Sequence, residues 1–340
     1  MSITKELVYP LKESPSFGQP IEITEGIFWL RVPIPFALDH INLWLLRDGD
    51  GWTIVDTGFF SSNVKKIWQQ LQENFFKNDP VKKIIVTHFH PDHVGMASWL
   101  MEQTGAELWM SEREFLTIHR VCHPYSDKEI ATRTRFYKKF GFDGEQITSV
   151  INSRSSDTKG LPEPPDSYHR MCDGNTISIN GEDWFLSSFS GHSPEHICLY
   201  NAKRKLLISG DQVLPTISPN ISVMFFEPLA NPLAEYLDSL IKLAELDEET
   251  LVLPSHGKVF LGLHYRIDQL TKGHQESLRM LTEYCHQPRS GKQLMEKMFG
   301  SRLSAFNLSL GAGEALAHIN HLVARNELKK SNDFITHYDH

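Results

Sequence analysis

The sequence predicts an α/β protein that carries a helical insertion and a small helical domain at its C-terminal end. Three observations support this fold class. Strand and helix patterns alternate over residues 21–111, strand patterns return over residues 171–257, and helical patterns dominate after residue 261. We therefore predict a catalytic domain at 1–262 with an insertion at 111–170, and a C-terminal domain at 263–340.

The N-terminal part begins with strands. Residues 21–60 are rich in β-branched and aromatic residues, and the dipeptide Asp50-Gly51 is typical of a hairpin turn. Apolar residues at helical spacing then follow the candidate N-caps Ser61 and Ser62, and Gly105 is placed to end a second helix. The later elements of this part are, in order, a helix at 61–78, a strand at 81–88, a helix at 94–105 and a strand at 106–111.

Residues 111–170 interrupt this alternation. They are helical at first and then polar and Pro-rich, which predicts a loop over residues 153–167, so we interpret the segment as a lid-forming insertion. Its aromatic residues either cap an apolar acyl chain or pack the insertion onto the body. These residues are Phe115, Tyr125, Phe136, Tyr137 and Phe140.

The last third of the chain is mainly helical. Apolar spacing predicts a helix at 231–247, and "TLVLPSHG" (250–257) predicts a strand that ends in a loop. Further helices are predicted at 263–286, 290–299 and 309–326.

Composition limits the classes of function. The chain of 340 residues has 34 basic and 42 acidic residues and a formal net charge of −8, which disfavours a nucleic-acid-binding protein. Its four cysteines form no CxxC pair, and no apolar run reaches the length of a membrane span. Because residues 1–20 contain no apolar run, we expect no secretory signal. We expect a cytoplasmic protein without membrane partners.

One short stretch indicates a metal site. "THFHPDH" (87–93) follows an apolar strand, and residues two apart on a strand face the same side, so His88 and His90 can point at one position. Pro91 then turns the chain, and Asp92 and His93 begin a helix from which they can face a second, nearby position. The stretch therefore predicts ligands for two metal ions.

Three later strands also end in metal-ligand residue types. His192 lies in "SGHSPEH", Asp211 in "SGD" and His256 in "PSHG". Because ligands gather at strand ends along one edge of α/β sheets, we expect these side chains to converge. Imidazole and carboxylate suit Zn, Fe or Mn.

In this order, "THFHPDHVG", "SGHSPEH", "SGD" and "PSHG", preceded by "VDTG" (55–58), resemble the metallo-β-lactamase fold superfamily. The resemblance covers residues 21–262 and implies an αββα sandwich with a dinuclear metal site at one edge. It implies that His88, His90 and His192 bind one ion, that Asp92, His93 and His256 bind the other, and that Asp211 bridges them.

The resemblance also implies a mechanism. Two divalent cations, most simply Zn, with Fe or Mn as alternatives, lower the pKa of water so that a metal-bound hydroxide attacks the substrate. Asp92 is a candidate catalytic residue that orients the nucleophile or passes a proton to the leaving group. Asp56 is the second candidate catalytic residue. It either accepts the N–H of a ligand histidine and thereby orients that ring, or caps a turn with Gly58.

The downstream motifs resemble the glyoxalase II-like and lactamase-like 2 branch, and residues 260–330 resemble its winged-helix tail. We predict hydrolysis of a small-molecule thioester or related acyl substrate. The alternatives are a single-strand endoribonuclease, a lactonase, a mononuclear iron dioxygenase and a non-catalytic binding protein with a vestigial site. We expect this C-terminal tail either to pack on the catalytic domain or to form a homodimer. Contact with nucleic acid is the third alternative, which the acidic composition disfavours.

Substrate-binding candidates come from the segment after Asp211, "QVLPTISPNISVMFFEP" (212–228), because it starts at a predicted ligand. Pro219, Asn220 and Phe225 are the candidates for the pocket wall. His40 is a further candidate for the pocket, whereas His196 and Cys198 are expected to be structural.

Overall fold

The computed structural model describes residues 6–157, 163–333 and 335–339, and the N-terminal half of the chain builds one mixed sheet. The sheet follows chain order from β1 to β7, antiparallel up to β4 and parallel beyond it. Gly49, with φ 65°, turns the predicted hairpin between β3 and β4. The strands are β1 (Ile21–Thr24), β2 (Ile27–Pro33), β3 (His40–Asp48), β4 (Gly51–Val55), β5 (Val81–Ile85), β6 (Glu107–Ser111) and β7 (His169–Met171).

A second sheet faces the first. Its order is β12-β11-β10-β9-β8, and its pairs are antiparallel except for the parallel pair β11–β12. The strands are β8 (Thr176–Ile179), β9 (Glu182–Phe189), β10 (His196–Asn201), β11 (Leu206–Gly210) and β12 (Leu251–Pro254).

Alternating side chains divide the core into layers. In β3, Leu43 and Leu45 pack under helices on the outer face, whereas Trp44 and Leu46 belong to the cluster between the two sheets. In β10, Cys198 faces the outer helices of the second sheet. The helices of the two outer layers include α1 (Ser62–Leu71), which continues as a π-helix (Gln72–Phe76), α2 (Pro91–Val94), α3 (Ala97–Thr104), α4 (Glu112–Val121) and α7 (Pro232–Leu243). The predicted αββα sandwich is confirmed.

The insertion is helical, as predicted, but two details differ. α5 (Asp127–Phe140) begins at a capping box of Ser126 and Glu129, and α6 (Gly144–Asp157) continues through residues 153–157, where a loop was expected. β7 then adds a parallel strand beside β6, where the sequence suggested only insertion. Residues 158–162 of the predicted loop lie outside the described residues.

Two of the insertion's aromatic residues pack it onto the C-terminal region. Tyr137 and Phe140 are buried, the Tyr137 hydroxyl lies 3.3 Å from Ser309 Oγ, and the Phe140 ring lies against Gly291. Of the two interpretations of the aromatic residues, packing therefore describes these two.

The C-terminal region is helical, as predicted, and also contains a small antiparallel sheet. The third helix begins at residue 305 rather than 309, because Ser304 Oγ accepts the Asn307 N–H and caps it. The elements are α8 (Leu263–Tyr284), β13 (Arg289–Ser290), α9 (Gly291–Phe299), α10 (Ala305–Ala324), β14 (Lys329–Lys330) and β15 (His337–Asp339), with sheet order β13-β15-β14. The winged-helix likeness and the boundary at 262 stay predictions. Across the described part of the chain, no helix combines the length and the apolar character that crossing a membrane needs.

Candidate metal centre

The seven predicted ligands converge at one edge of the sandwich, and each follows or closely follows a strand. His88 and His90 come after β5, Asp92 and His93 lie on α2, and the others come after β9, β11 and β12. Their ligand atoms form two groups, within each of which the atoms lie within 4.8 Å of one another. The first half-site is His88, His90, His192 and Asp211, and the second half-site is Asp92, His93 and His256.

The first half-site contains three imidazoles in close contact. His88 Nε2 lies 2.8 Å from His90 Nδ1 and 3.2 Å from His192 Nε2. His192 Nε2 lies 3.4 Å from Asp211 Oδ2. One position can therefore be shared by three ring nitrogens and one carboxylate oxygen.

In the second half-site, two imidazoles face a carboxylate. Asp92 Oδ2 lies 3.4 Å from His256 Nε2 and 3.7 Å from His93 Nε2. The other oxygen of Asp211, Oδ1, lies 3.4 Å from His256 Nε2 and 3.5 Å from His93 Nε2. Asp211 thus directs one oxygen at each half-site.

The outer nitrogens of three rings determine their tautomers. His192 Nδ1 donates to the Asn220 carbonyl at 2.9 Å, His256 Nδ1 to the His40 carbonyl at 2.8 Å, and His93 Nδ1 to Asp56 Oδ2 at 2.8 Å. Because these oxygens only accept, each Nδ1 carries a hydrogen, and Nε2 is the nitrogen that each ring turns to the centre and that could bind a cation.

This arrangement fits divalent cations. Nitrogen lone pairs and carboxylate oxygens face one another, and the buried atoms His93 Nε2 and Asp211 Oδ1 have no hydrogen-bond partner. Buried acceptors that face acceptors need positive charge between them. Imidazole and carboxylate are ligands that Zn, Fe and Mn accept, so these residues could hold such ions.

The two half-sites differ in their electrostatics. Burial and the neighbouring His192 lower the pKa of His90 to about 3, which keeps that ring neutral. Burial also opposes charge on His256, but the carboxylates of Asp211 and Asp92 favour positive charge there and raise its pKa to about 10, so a bound cation would take the place of the proton on Nε2. Burial disfavours the Asp92 carboxylate, yet His93 and His256 lower its pKa to about 2. The second half-site therefore favours the charged forms of His256 and Asp92, whereas His90 in the first half-site is neutral.

Asp56 has the contacts expected of a residue that orients a ligand. It is buried, follows β4 and accepts from Thr87 N at 2.8 Å as well as from His93 Nδ1. Its φ of 61° lies in the left-handed region, which Asp tolerates better than most residues. Through these hydrogen bonds, Asp56 connects the C-terminal ends of β4 and β5 beside His93.

Close packing against His196 explains why glycine occupies position 210 in "SGD". A Cβ on Gly210, whose φ is 51°, would lie 2.4 Å from His196 Nε2. That His196 atom accepts the Asp211 N–H at 3.1 Å, and the His196 ring stacks on His88 at 4.8 Å. His196 is thus a structural neighbour of the ligands and belongs to neither half-site.

Sequence reasoning missed Glu114 on α4. This fully buried carboxylate accepts from Phe89 N at 2.9 Å, Ser193 Oγ at 2.7 Å and Glu195 N at 2.6 Å. Burial raises its pKa to about 7, although these three donors act in the opposite direction. It ties the His88–His90 segment to the His192 segment. No spacing pattern marks it, because its partners lie 25 to 81 residues away.

The three substrate-binding candidates lie in different environments. Pro219 is buried, and the Asn220 carbonyl holds His192. The Phe225 ring lies 3.8 Å from the Arg133 guanidinium of the insertion. His40 contributes its carbonyl to His256, and its Nε2 accepts Gly257 N at 3.0 Å. Contact of these residues with a substrate stays a prediction.

Comparisons with known proteins identify the family. The model of the Metallo-beta-lactamase superfamily matches residues 37–256, and the model "Metallo-beta-lactamase-like, C-terminal domain" matches residues 278–338. The chain is 27% identical over 326 residues to the probable metallo-hydrolase YqjP of Bacillus subtilis, which covers 88% of this chain and 93% of that protein. It is 23% identical over 256 residues to the human acyl-coenzyme A thioesterase MBLAC2, which covers 69% of this chain and 80% of that protein.

A solved structure shows the same fold over nearly the whole length. The beta-lactamase domain protein from Burkholderia ambifaria superposes with a TM-score of 0.90 at 37% identity, over 98% of each chain. The family match, the structural match and the converging His and Asp side chains agree. The chain belongs to the metallo-beta-lactamase superfamily.

Proposed function

We propose that this protein is a metal-dependent hydrolase with a dinuclear site. His88, His90 and His192 bind one ion, Asp92, His93 and His256 bind the other, and Asp211 bridges them. The inward-facing lone pairs of His93, His192 and His256 carry this proposal, because their outer nitrogens are already engaged as donors. Zn is the proposed metal, with Fe or Mn as alternatives.

The chain's own residues have separate roles. The cations would supply Lewis acidity, which lowers the pKa of water and polarises a carbonyl group. Asp92, a member of the second half-site, orients the nucleophile or passes a proton to the leaving group. Asp56 keeps the His93 ring in its orientation and tautomer.

A thioester or related acyl compound is the proposed substrate. The name of the human relative, an acyl-coenzyme A thioesterase, supports this class. So does an aromatic cluster near the site: Phe59 lies three residues after Asp56, and Phe36 contacts Phe59 at 5.5 Å and Phe306 at 5.6 Å between ring centroids. Phe36 and Phe306 are partly exposed and offer apolar surface for an acyl chain.

A hydrolysis screen on protein of known metal content tests the proposal. The substrates are short and long acyl-CoA, glutathione thioesters, lactones and unstructured RNA. We expect thioester turnover with two metal ions per chain, and loss of turnover in His88→Ala but not in the exposed control His286→Ala.

Other outcomes would redirect or overturn the proposal. Cleavage of RNA alone would favour the endoribonuclease, and cleavage of lactones alone the lactonase. One iron per chain without hydrolysis would favour the dioxygenase. Two bound metals without turnover of any substrate would favour the binding protein, and each of these results contradicts the thioesterase.

A further inference from the structure

Helix α10 of the C-terminal region packs against the segment that holds His192. The Val223 N–H donates to the Gly313 carbonyl at 3.0 Å. A Cβ on Gly313 would lie 2.6 Å from Ser222 Oγ, so the close approach of helix and segment needs a residue without a side chain. The helix is therefore fitted to residues 220–223.

A side chain of α10 holds Asn220 at this contact. Asn220 Nδ2 donates to Glu314 Oε2 at 2.7 Å, and Ser222 Oγ donates to Asn220 Oδ1. Both ends of the Asn220 side chain are thus engaged. Its main-chain carbonyl accepts His192 Nδ1 at 2.9 Å, which links α10 to a ligand of the first half-site by two successive hydrogen bonds.

Glu314 is unusual within its helix. It is the only charged residue between Ala305 and Ala324, in a sequence otherwise made mainly of small and apolar residues. Its placement against the catalytic domain costs desolvation of a carboxylate, which packing of the two regions alone does not require. A hydrogen bond that positions Asn220 gives this charge a role.

We propose that Glu314 is a positioning residue of the metal site, which through Asn220 fixes the hydrogen-bond acceptor of His192. The C-terminal helical region is then part of the site rather than an appendage to it. This inference rests on the proposed metal site, but it does not depend on which substrate is hydrolysed.

Metal binding to the metal-free full-length protein tests the inference. The probes are Zn²⁺ and Co²⁺, with Co²⁺ absorption as the spectroscopic signature of the ligand geometry. We expect Glu314→Ala to weaken binding of one of the two ions by roughly 10-fold and to change the Co²⁺ spectrum. This is the smaller effect in the range of about 10–100-fold that is typical when a hydrogen-bond partner of a metal ligand is lost. Glu314→Gln keeps an oxygen acceptor for Asn220 Nδ2 and should remain within about threefold of the parent protein.

Asn320→Ala is the matched control. Asn320 also joins α10 to this part of the chain, by hydrogen bonds to the carbonyls of Pro228 at 3.1 Å and Ala230 at 2.8 Å, but it does not reach Asn220. Its variant should keep both metal affinities and the parent spectrum. An equal loss in Asn320→Ala would mean general anchoring of the segment and would overturn the positioning role.

Asn220→Ala keeps the test decisive if Glu314→Ala does not fold. It retains the carbonyl but loses the link to Glu314, so it should reproduce the loss, and the double variant should be no worse than either single variant. Parent affinities in Glu314→Ala, or in Asn220→Ala, would overturn this inference alone. A parent protein that binds neither Zn²⁺ nor Co²⁺ would instead overturn the proposed function.

Discussion

The two half-sites are held by different parts of the molecule. In the first, His192 Nδ1 donates to the Asn220 carbonyl, whose residue α10 holds, and Glu114 of α4 links the two segments that carry His88, His90 and His192. In the second, His93 rests on Asp56 at the end of β4, and His256 rests on the His40 carbonyl at the start of β3. The second half-site thus depends on strands of the sandwich, and the first also depends on α10, which belongs to the C-terminal region. Substitutions should therefore change the metal affinities of the two half-sites separately.

Replacing Asp211 should have the largest effect, because its two oxygens face both half-sites. We expect Asp211→Ala to lose tight binding of both metal ions and to reduce hydrolysis at least ~1,000-fold, about 4 kcal/mol in the activation free energy. Metal content per chain and turnover measure this. Asp183→Ala, at an exposed position of β9, is the control, and two retained metal ions in Asp211→Ala would show that the half-sites do not share this residue.

Asp56→Asn should weaken the second half-site selectively. Asn also adopts the left-handed backbone of this position, but its amide hydrogens would face either Thr87 N–H or His93 Nδ1–H. We expect a loss of about 10–100-fold in affinity for one metal ion, with the other unchanged. A two-step Zn²⁺ titration measures both affinities, and an equal loss in both would contradict the separation of the half-sites.

Glu114→Gln should weaken the first half-site, by about 10-fold in affinity for one ion, because Glu114 acts through neighbours of the ligands rather than on a ring. An amide would also leave one buried donor unpaired, so the free energy of unfolding should fall by about 1–3 kcal/mol. Metal titration and urea unfolding measure these changes. Glu112 lies on the same helix as Glu114 and forms an exposed ion pair with Arg170 of β7, so Glu112→Gln is the control and should change neither quantity.

His40→Ala should have the smallest effect. The variant keeps the carbonyl that holds His256, and removes the acceptor of the Gly257 N–H and the contact of Nδ1 with Asp39 Oδ1 at 2.6 Å. We expect less than about a threefold change in metal affinity, compared with loss of the second ion in His256→Ala. A tenfold loss, measured by the same titration, would show that the second half-site depends on the His40 side chain as well as on its backbone.

Much of the centre could be predicted from sequence because its ligands lie at strand ends. The apolar composition of β5 and β11 predicts these strands, and a His or Asp follows each of them within three residues. The αββα sandwich and the helical C-terminal region followed from the same patterns and the family resemblance. The start of α10 was less accurate, because the Ser304 cap sets it, and α6 continues to Asp157, where the polar composition predicted a loop.

Glu114 and Glu314 show what the patterns omit. Each carboxylate acts on a partner far along the chain, at 25 or more residues for Glu114 and at 94 for Glu314. A lone acidic residue in an apolar, small-residue helix was a signal for Glu314, but it did not name Asn220 as the partner. Only the packing of α4 and α10 against the ligand segments brings these pairs together.

By itself, the sequence determined the types of the candidate ligand residues, their order and their places at strand ends, because periodicity and residue chemistry are local properties of the chain. The tertiary structure alone decided which outer nitrogen is engaged in His93, His192 and His256, and therefore which nitrogen faces the centre. It also decided that Asp211 lies between the half-sites and that α10 contacts the segment behind His192. These are distances between residues far apart in the chain, which the packing of the two sheets and the C-terminal helices sets.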